Sequence, residues 1–110
     1  MKSDIHKLTE TIVEFRDKRD WKQFHNPKDL ALAISIEASE LNELFLWKNH
    51  DAYDRTKLAE ELADVLIYSL LLAHETNYDV VEIINAKIQK NRKRYPVTLS
   101  KGSSKKYNEV

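Results

Sequence analysis

Apolar residues recur at intervals of three and four along most of this chain, and four stretches of such spacing predict four helices. Ile5, Leu8, Ile12 and Phe15 mark the first, from Ser3 or Asp4 to about Arg19, with either early residue able to cap it. Asn26-Pro27 reads as an N-cap followed by proline at the first helical position, so a second helix is expected from Pro27 to about Phe45 or Trp47. A third should run from about Asp54 to Thr76, after a short connector around Asn49-His50-Asp51 that favours antiparallel packing. Asp79-Val-Val-Glu82 has the form of a capping box and opens a fourth, carrying Ile83, Ile84 and Ile88 and ending near Tyr95, before Pro96. The fold class is all-α, with the character of a four-helix bundle.

Two interruptions of the apolar spacing carry the chemistry. Glu37 and Glu40 are three apart on the second helix, and Glu61 and Asp64 are three apart on the third. That spacing sets the two side chains of each pair next to each other on the helix surface. Counting by three and four from Glu37 reaches Leu30, Ala33, Ile34, Leu41 and Leu44, while Asp64 has Ile67, Tyr68 and Leu71 as neighbours. The acids therefore lie inside the core-facing bands. At positions three and four away, Glu37, Glu40 and Asp64 have no Lys or Arg, and Glu61 has only Lys57. Converging carboxylates in a half-buried site repel one another unless a cation compensates.

An all-oxygen ligand set suits Mg²⁺, with Mn²⁺ as the alternative. A di-iron bundle would need Glu-x-x-His pairs, and the residues three before His6, His25, His50 and His74 are Ser3, Lys22, Trp47 and Leu71. Glu43 and Glu60 adjoin the four acids and offer alternative registers as outer ligands or as a base.

Composition narrows the setting. At 110 residues the chain is one domain by length, and its single Gly and two Pro favour a few long helices. With no Cys, disulfides and thiolate metal sites are excluded. The apolar run Val65 to Ala73 is too short to span a bilayer, and no signal-peptide pattern is visible, so a soluble, cytoplasmic protein is expected. That same run is apolar nearly all round and must be covered on every side, which predicts an oligomer, a dimer at least, with helices packed between subunits. Net charge is zero, yet residues 89–110 hold 7 basic side chains and one acidic. Such an arm suits either nucleic acid or the phosphates of a small substrate. The domain is read as residues 1–97 and the basic C-terminal tail as 98–110.

The order Glu-x-x-Glu, a spacer of 20 residues, then Glu-x-x-Asp resembles the MazG-like all-α nucleotide pyrophosphohydrolases, closest to the dCTP pyrophosphatase branch. Arg19-Asp-Trp-Lys-Gln-Phe-His25, Glu37 through Trp47, Glu60 through Tyr68, Asn91-Arg-Lys-Arg-Tyr-Pro-Val97 and the tail from Ser100 to Tyr107 carry the likeness across nearly the whole chain. The resemblance implies a metal set of Glu37, Glu40, Glu61 and Asp64, with Glu37 or Glu40 acting on the attacking water. It implies magnesium-dependent cleavage of a nucleoside triphosphate between the α- and β-phosphates, with dCTP or a modified dCTP as the expected substrate and a tetramer as the expected assembly. Trp21, His25 and Trp47 would form the base pocket. Lys87, Asn91, Arg94 and Tyr95 would meet the phosphates. Tyr68 either contacts phosphate or sugar or is a core tyrosine with a satisfied hydroxyl. Two other functions compete: hydrolysis of phosphoribosyl-ATP, and non-catalytic nucleic-acid binding by a helical oligomer.

Overall fold

Each of the four long helices begins on a side chain able to take up orphaned backbone N–H groups. The structure, a computed structural model, describes residues 1–104. Ser3 accepts from the N–H of His6 and starts α1 (Asp4–Lys18). Asn26 accepts from Asp29 N and starts α2 (Pro27–Glu43), with Pro27 in the first turn as expected. Asp54 accepts from both Thr56 N and Lys57 N at the head of α3 (Arg55–Glu75). Asp79 accepts from Glu82 N to open α4 (Val80–Arg94), which stops one residue before Tyr95-Pro96. A 3₁₀ turn, Lys22–Phe24, lies between α1 and α2. A four-residue helix α5 (Val97–Ser100), which the sequence did not signal, follows Pro96. No strand occurs among the described residues, so the all-α expectation holds.

The chain divides into two compact units, Met1–Tyr78 and a second beginning at Asp79. In the first, α3 is the shared support: α2 packs along it and α1 lies against it as well. Phe45 meets Tyr53 with ring centroids 5.3 Å apart. Farther back along the chain, Glu37 meets Asp64, His25 meets Tyr68, and Arg16 meets Glu75. Partners thus advance along α3 as one retreats through α2 and α1, and α2 and α3 are antiparallel.

The buried apolar set is small: Leu30 at 1% exposure, with Leu70, Leu71 and Ala73. Leu32 and Ile36 on α2, and Leu62 and Leu66 on α3, remain exposed although each pair has i, i+4 spacing. In the second unit, α4 carries Ile83, Ile84 and Ile88 on its exposed surface and three basic residues in its last turn.

Two expectations need correction. α2 does not continue to Phe45 or Trp47. Its last carbonyls instead take donors three residues on, Leu44 N to Leu41 O, Phe45 N to Asn42 O and Leu46 N to Glu43 O, which tightens and ends the helix. The α1 stripe is also rotated. Leu8 and Phe15 are about half exposed, while Ile5, Ile12 and Val13 are half-buried and Arg16 is buried. Residues 105–110 of the expected basic tail lie outside the described residues.

Candidate metal centre

The antiparallel pairing of α2 and α3 brings the two acidic signatures together. Glu37, Glu61 and Asp64 present carboxylate oxygens that all lie within 4.8 Å of one another, and all three residues are half-buried. One oxygen of Glu37 and one of Glu61, the Oε2 atoms, are buried with no hydrogen-bond partner. A buried polar atom left unpaired is costly, and two of them on converging acids fit a cation better than any neutral filling. The donor set is all oxygen, which matches Mg²⁺ or Mn²⁺.

Electrostatics agree with that geometry. Burial first, then hydrogen bonding and repulsion from Glu40, then repulsion from Asp64 and Glu61, push the Glu37 carboxyl up to about 7. Glu61 is raised by burial, by Glu40 and by Asp64, with its hydrogen bond to Glu37 opposing. Glu40 itself is exposed and stands outside the group of three, yet it acts on Glu37, one helical turn away on α2, and on Glu61 of α3. Without a cation these acids hold protons at a pH where isolated carboxyls have lost them.

Tyr68 extends the site along α3. It is half-buried, and burial together with the charges of Glu37, Asp64 and Glu40 raises its phenol. His25 sets its ring edge-on to Tyr68, centroids 6.4 Å apart, and its Nδ1 is buried without a partner. Tyr68 thus links the acidic group, whose charges act on its phenol, to His25, whose ring it meets.

The two tryptophans have contrasting surroundings. Trp21 packs edge-on to Phe15 at 5.8 Å, and the Arg19 guanidinium lies 3.6 Å over the Phe15 ring and 5.9 Å from Trp21. Trp47 sits at φ 62° and is fully exposed, because α2 has already ended. Lys87, Asn91, Arg94 and Tyr95 belong to the second unit, with Lys87 exposed and the other three half-buried.

Sequence reasoning passed over one buried cation. Arg16 is 2% exposed, ion-paired to Glu75 of α3 and to Asp17 at 3.0 Å. Its signal was present: Arg16 is four residues after Ile12 and three after Val13, a cation inside an apolar stripe.

Residues 32–110 match the model of the MazG-like family. The chain is 44% identical to dCTP pyrophosphatase 1 of Mus musculus over 115 residues, an alignment covering 97% of this chain and 66% of that protein. The protein of the same name from Homo sapiens is 43% identical over the same shares of the two chains. The chain thus spans just under two thirds of the length of these relatives. A pyrophosphatase from Archaeoglobus fulgidus, known from a crystal structure, superposes with a TM-score of 0.80 at 36% identity, covering 87% of this chain and 95% of that one.

Proposed function

This chain belongs to the MazG-like family, and from that membership we propose that it is a nucleoside triphosphate pyrophosphohydrolase dependent on a divalent metal. The observation that carries the reading is the convergence of Glu37, Glu61 and Asp64 with two unpartnered buried oxygens. Those three residues, joined by Glu40, would hold Mg²⁺. When bound, the ion neutralises phosphate charge and acidifies a coordinated water. The rest of the work falls to the chain itself. Water adds to phosphorus, the bridging P–O bond between the α- and β-phosphates breaks, and monophosphate and pyrophosphate leave. Glu37 or Glu40, neighbours on α2, takes the proton of that water. Tyr68 is suited to donate its hydroxyl to the phosphates or sugar from the edge of the acidic group.

Cytosine is the favoured base, supported by the identity to dCTP pyrophosphatases and by the unpartnered Nδ1 of His25. Trp21 and Trp47 would supply stacking, and Lys87, Asn91, Arg94 and Tyr95 phosphate contacts. The exposed faces Leu32–Ile36 and Leu62–Leu66 support assembly with further copies, a tetramer in this reading. Among the described residues no helix is long and apolar enough to cross a membrane, and we place the enzyme in the cytoplasm as a guardian of nucleotide pools.

Incubating the protein with dCTP and Mg²⁺ tests the reaction. Equimolar dCMP and pyrophosphate are expected. Orthophosphate release, or no turnover across the eight common nucleotides, rejects it.

A further inference from the structure

A phenylalanine in the stripe of Ile5, Leu8 and Ile12 is expected to turn to the core, since apolar surface kept from water is stabilising. Phe15 instead stands 50% exposed. The Arg19 guanidinium lies over its ring at 3.6 Å and is steadied there by Nη1, which donates to the Phe15 carbonyl at 3.0 Å. After Arg19 the chain turns back on itself: Asp20 takes the left-handed conformation at φ 54°, Asp20 N donates to Asp17 O at 3.0 Å and Trp21 N to Arg16 O at 3.2 Å. That reversal sets the Trp21 indole edge-on to Phe15, ring centroids 5.8 Å apart and planes at 72°, with the indole centroid 5.9 Å from the same guanidinium. The three side chains are mutual neighbours, and 44% of Trp21 is still open. From Trp21 the 3₁₀ turn, tied by Phe24 N to Trp21 O and His25 N to Lys22 O at 2.9 Å, leads to His25 and so to Tyr68.

We infer that Phe15 and Arg19 are positioning residues of the nucleotide site, locking the Trp21 indole in one orientation so that its open surface is ready to stack on a base. This rests on the reading that Trp21 stacks on the substrate base. A half-exposed indole that is free to rotate loses that freedom when a base settles on it, and the loss weakens binding. One already braced between an aromatic ring and a guanidinium has little left to lose. Edge-to-face aromatic pairs and cation–π contacts both have preferred geometries, so they fix a direction where plain apolar packing would fix only a place. Phe15 stands out of the core because Trp21, which it braces, must itself stay open to the ligand.

The test is a double-substitution cycle with dCTP and Mg²⁺: Phe15→Leu, Trp21→Ala and the two combined, beside Phe15→Tyr and Arg19→Met. Trp21→Ala should raise KM about tenfold, the loss of one stacked base. Phe15→Leu, which keeps an apolar side chain and removes the ring, should raise it about three- to tenfold with kcat moving less, and Arg19→Met should move it the same way by less. Phe15→Tyr, which keeps the ring, should restore most of the parent KM. Adding Phe15→Leu to Trp21→Ala should change KM no further, because the ring then has no indole to hold. In NMR of the full chain the indole N–H of Trp21, identified by its loss in Trp21→Ala, should shift and show greater mobility in Phe15→Leu. A KM that rises in Trp21→Ala but stays at the parent value in Phe15→Leu and Arg19→Met, or effects that add in the combined variant, overturn the inference. So does an indole signal unmoved by loss of the ring. If Phe15→Leu does not fold, Arg19→Met and its combination with Trp21→Ala decide the matter. A KM unaltered in Trp21→Ala refutes the base platform itself, a protein that cleaves no nucleotide refutes the proposed reaction, and the inference falls with either.

Discussion

Glu37 of α2 and Glu61 of α3 bring carboxylate oxygens within 4.8 Å of each other, with Asp64 completing the group. Removing one of those charges should act oppositely on fold and on catalysis. Glu61→Gln relieves repulsion, so the metal-free protein should melt at a higher temperature than the parent. It also removes a ligand, and pyrophosphate release should fall by about two to three orders of magnitude, the several kcal/mol a bound metal contributes. Calorimetry in chelator and a pyrophosphate assay in Mg²⁺ read the two effects. A variant as active as the parent excludes Glu61 from the site.

The raised Glu37 carboxyl makes metal-free stability fall with pH. Its folded value, about 7, stands above the ordinary 4.5. Between those limits the folded state retains a proton that the unfolded chain has released, so stability is full at the acid end and declines as pH approaches 7. Mg²⁺ competes with that proton. The rise in melting temperature on adding Mg²⁺ should accordingly be larger at pH 8 than at pH 5.5. Equal rises at the two pH values would contradict the coupling.

Asn26 accepts from Asp29 N at 2.9 Å, and its amide donates to the Asp29 carboxylate at 2.7 Å. Asn26→Ala should therefore cost about 1 kcal/mol of stability. Urea unfolding measures it, and a midpoint equal to the parent's would show that Pro27 alone starts α2.

Leu66 is 54% exposed on α3, one turn from Leu62. If this face is covered by another copy, Leu66→Glu should shift sedimentation from an oligomer to the monomer and lower activity with it. A parent protein that sediments as a monomer at micromolar concentration would refute the assembly.

Much of this architecture could be read from the chain because its helix starts are local. Asn26-Pro27 and Asp79 with Glu82 act within one turn, and the structure places caps at both. The acidic pairs were legible for a similar reason: counting by three and four put them among apolar residues, and antiparallel packing did the rest. The end of α2 was not. Leu41, Leu44 and Phe45 continue the helical spacing, but Phe45 packs on Tyr53, a connector residue that no periodicity identifies as its partner. Arg16 was overlooked because a cation beside Ile12 and Val13 looks like the edge of an amphipathic face until Glu75, 59 residues away, is seen to meet it.

The two indoles of this chain stand in contrasting surroundings. Trp47 is wholly in water, whereas Trp21 leans on a phenylalanine with 44% of its surface open. Fluorescence from the unliganded monomer is consequently dominated by a solvent-relaxed, red-edge emitter that iodide quenches readily. Any occupant that covers Trp47, whether a nucleotide base or a neighbouring chain, announces itself as a blue shift with no label attached.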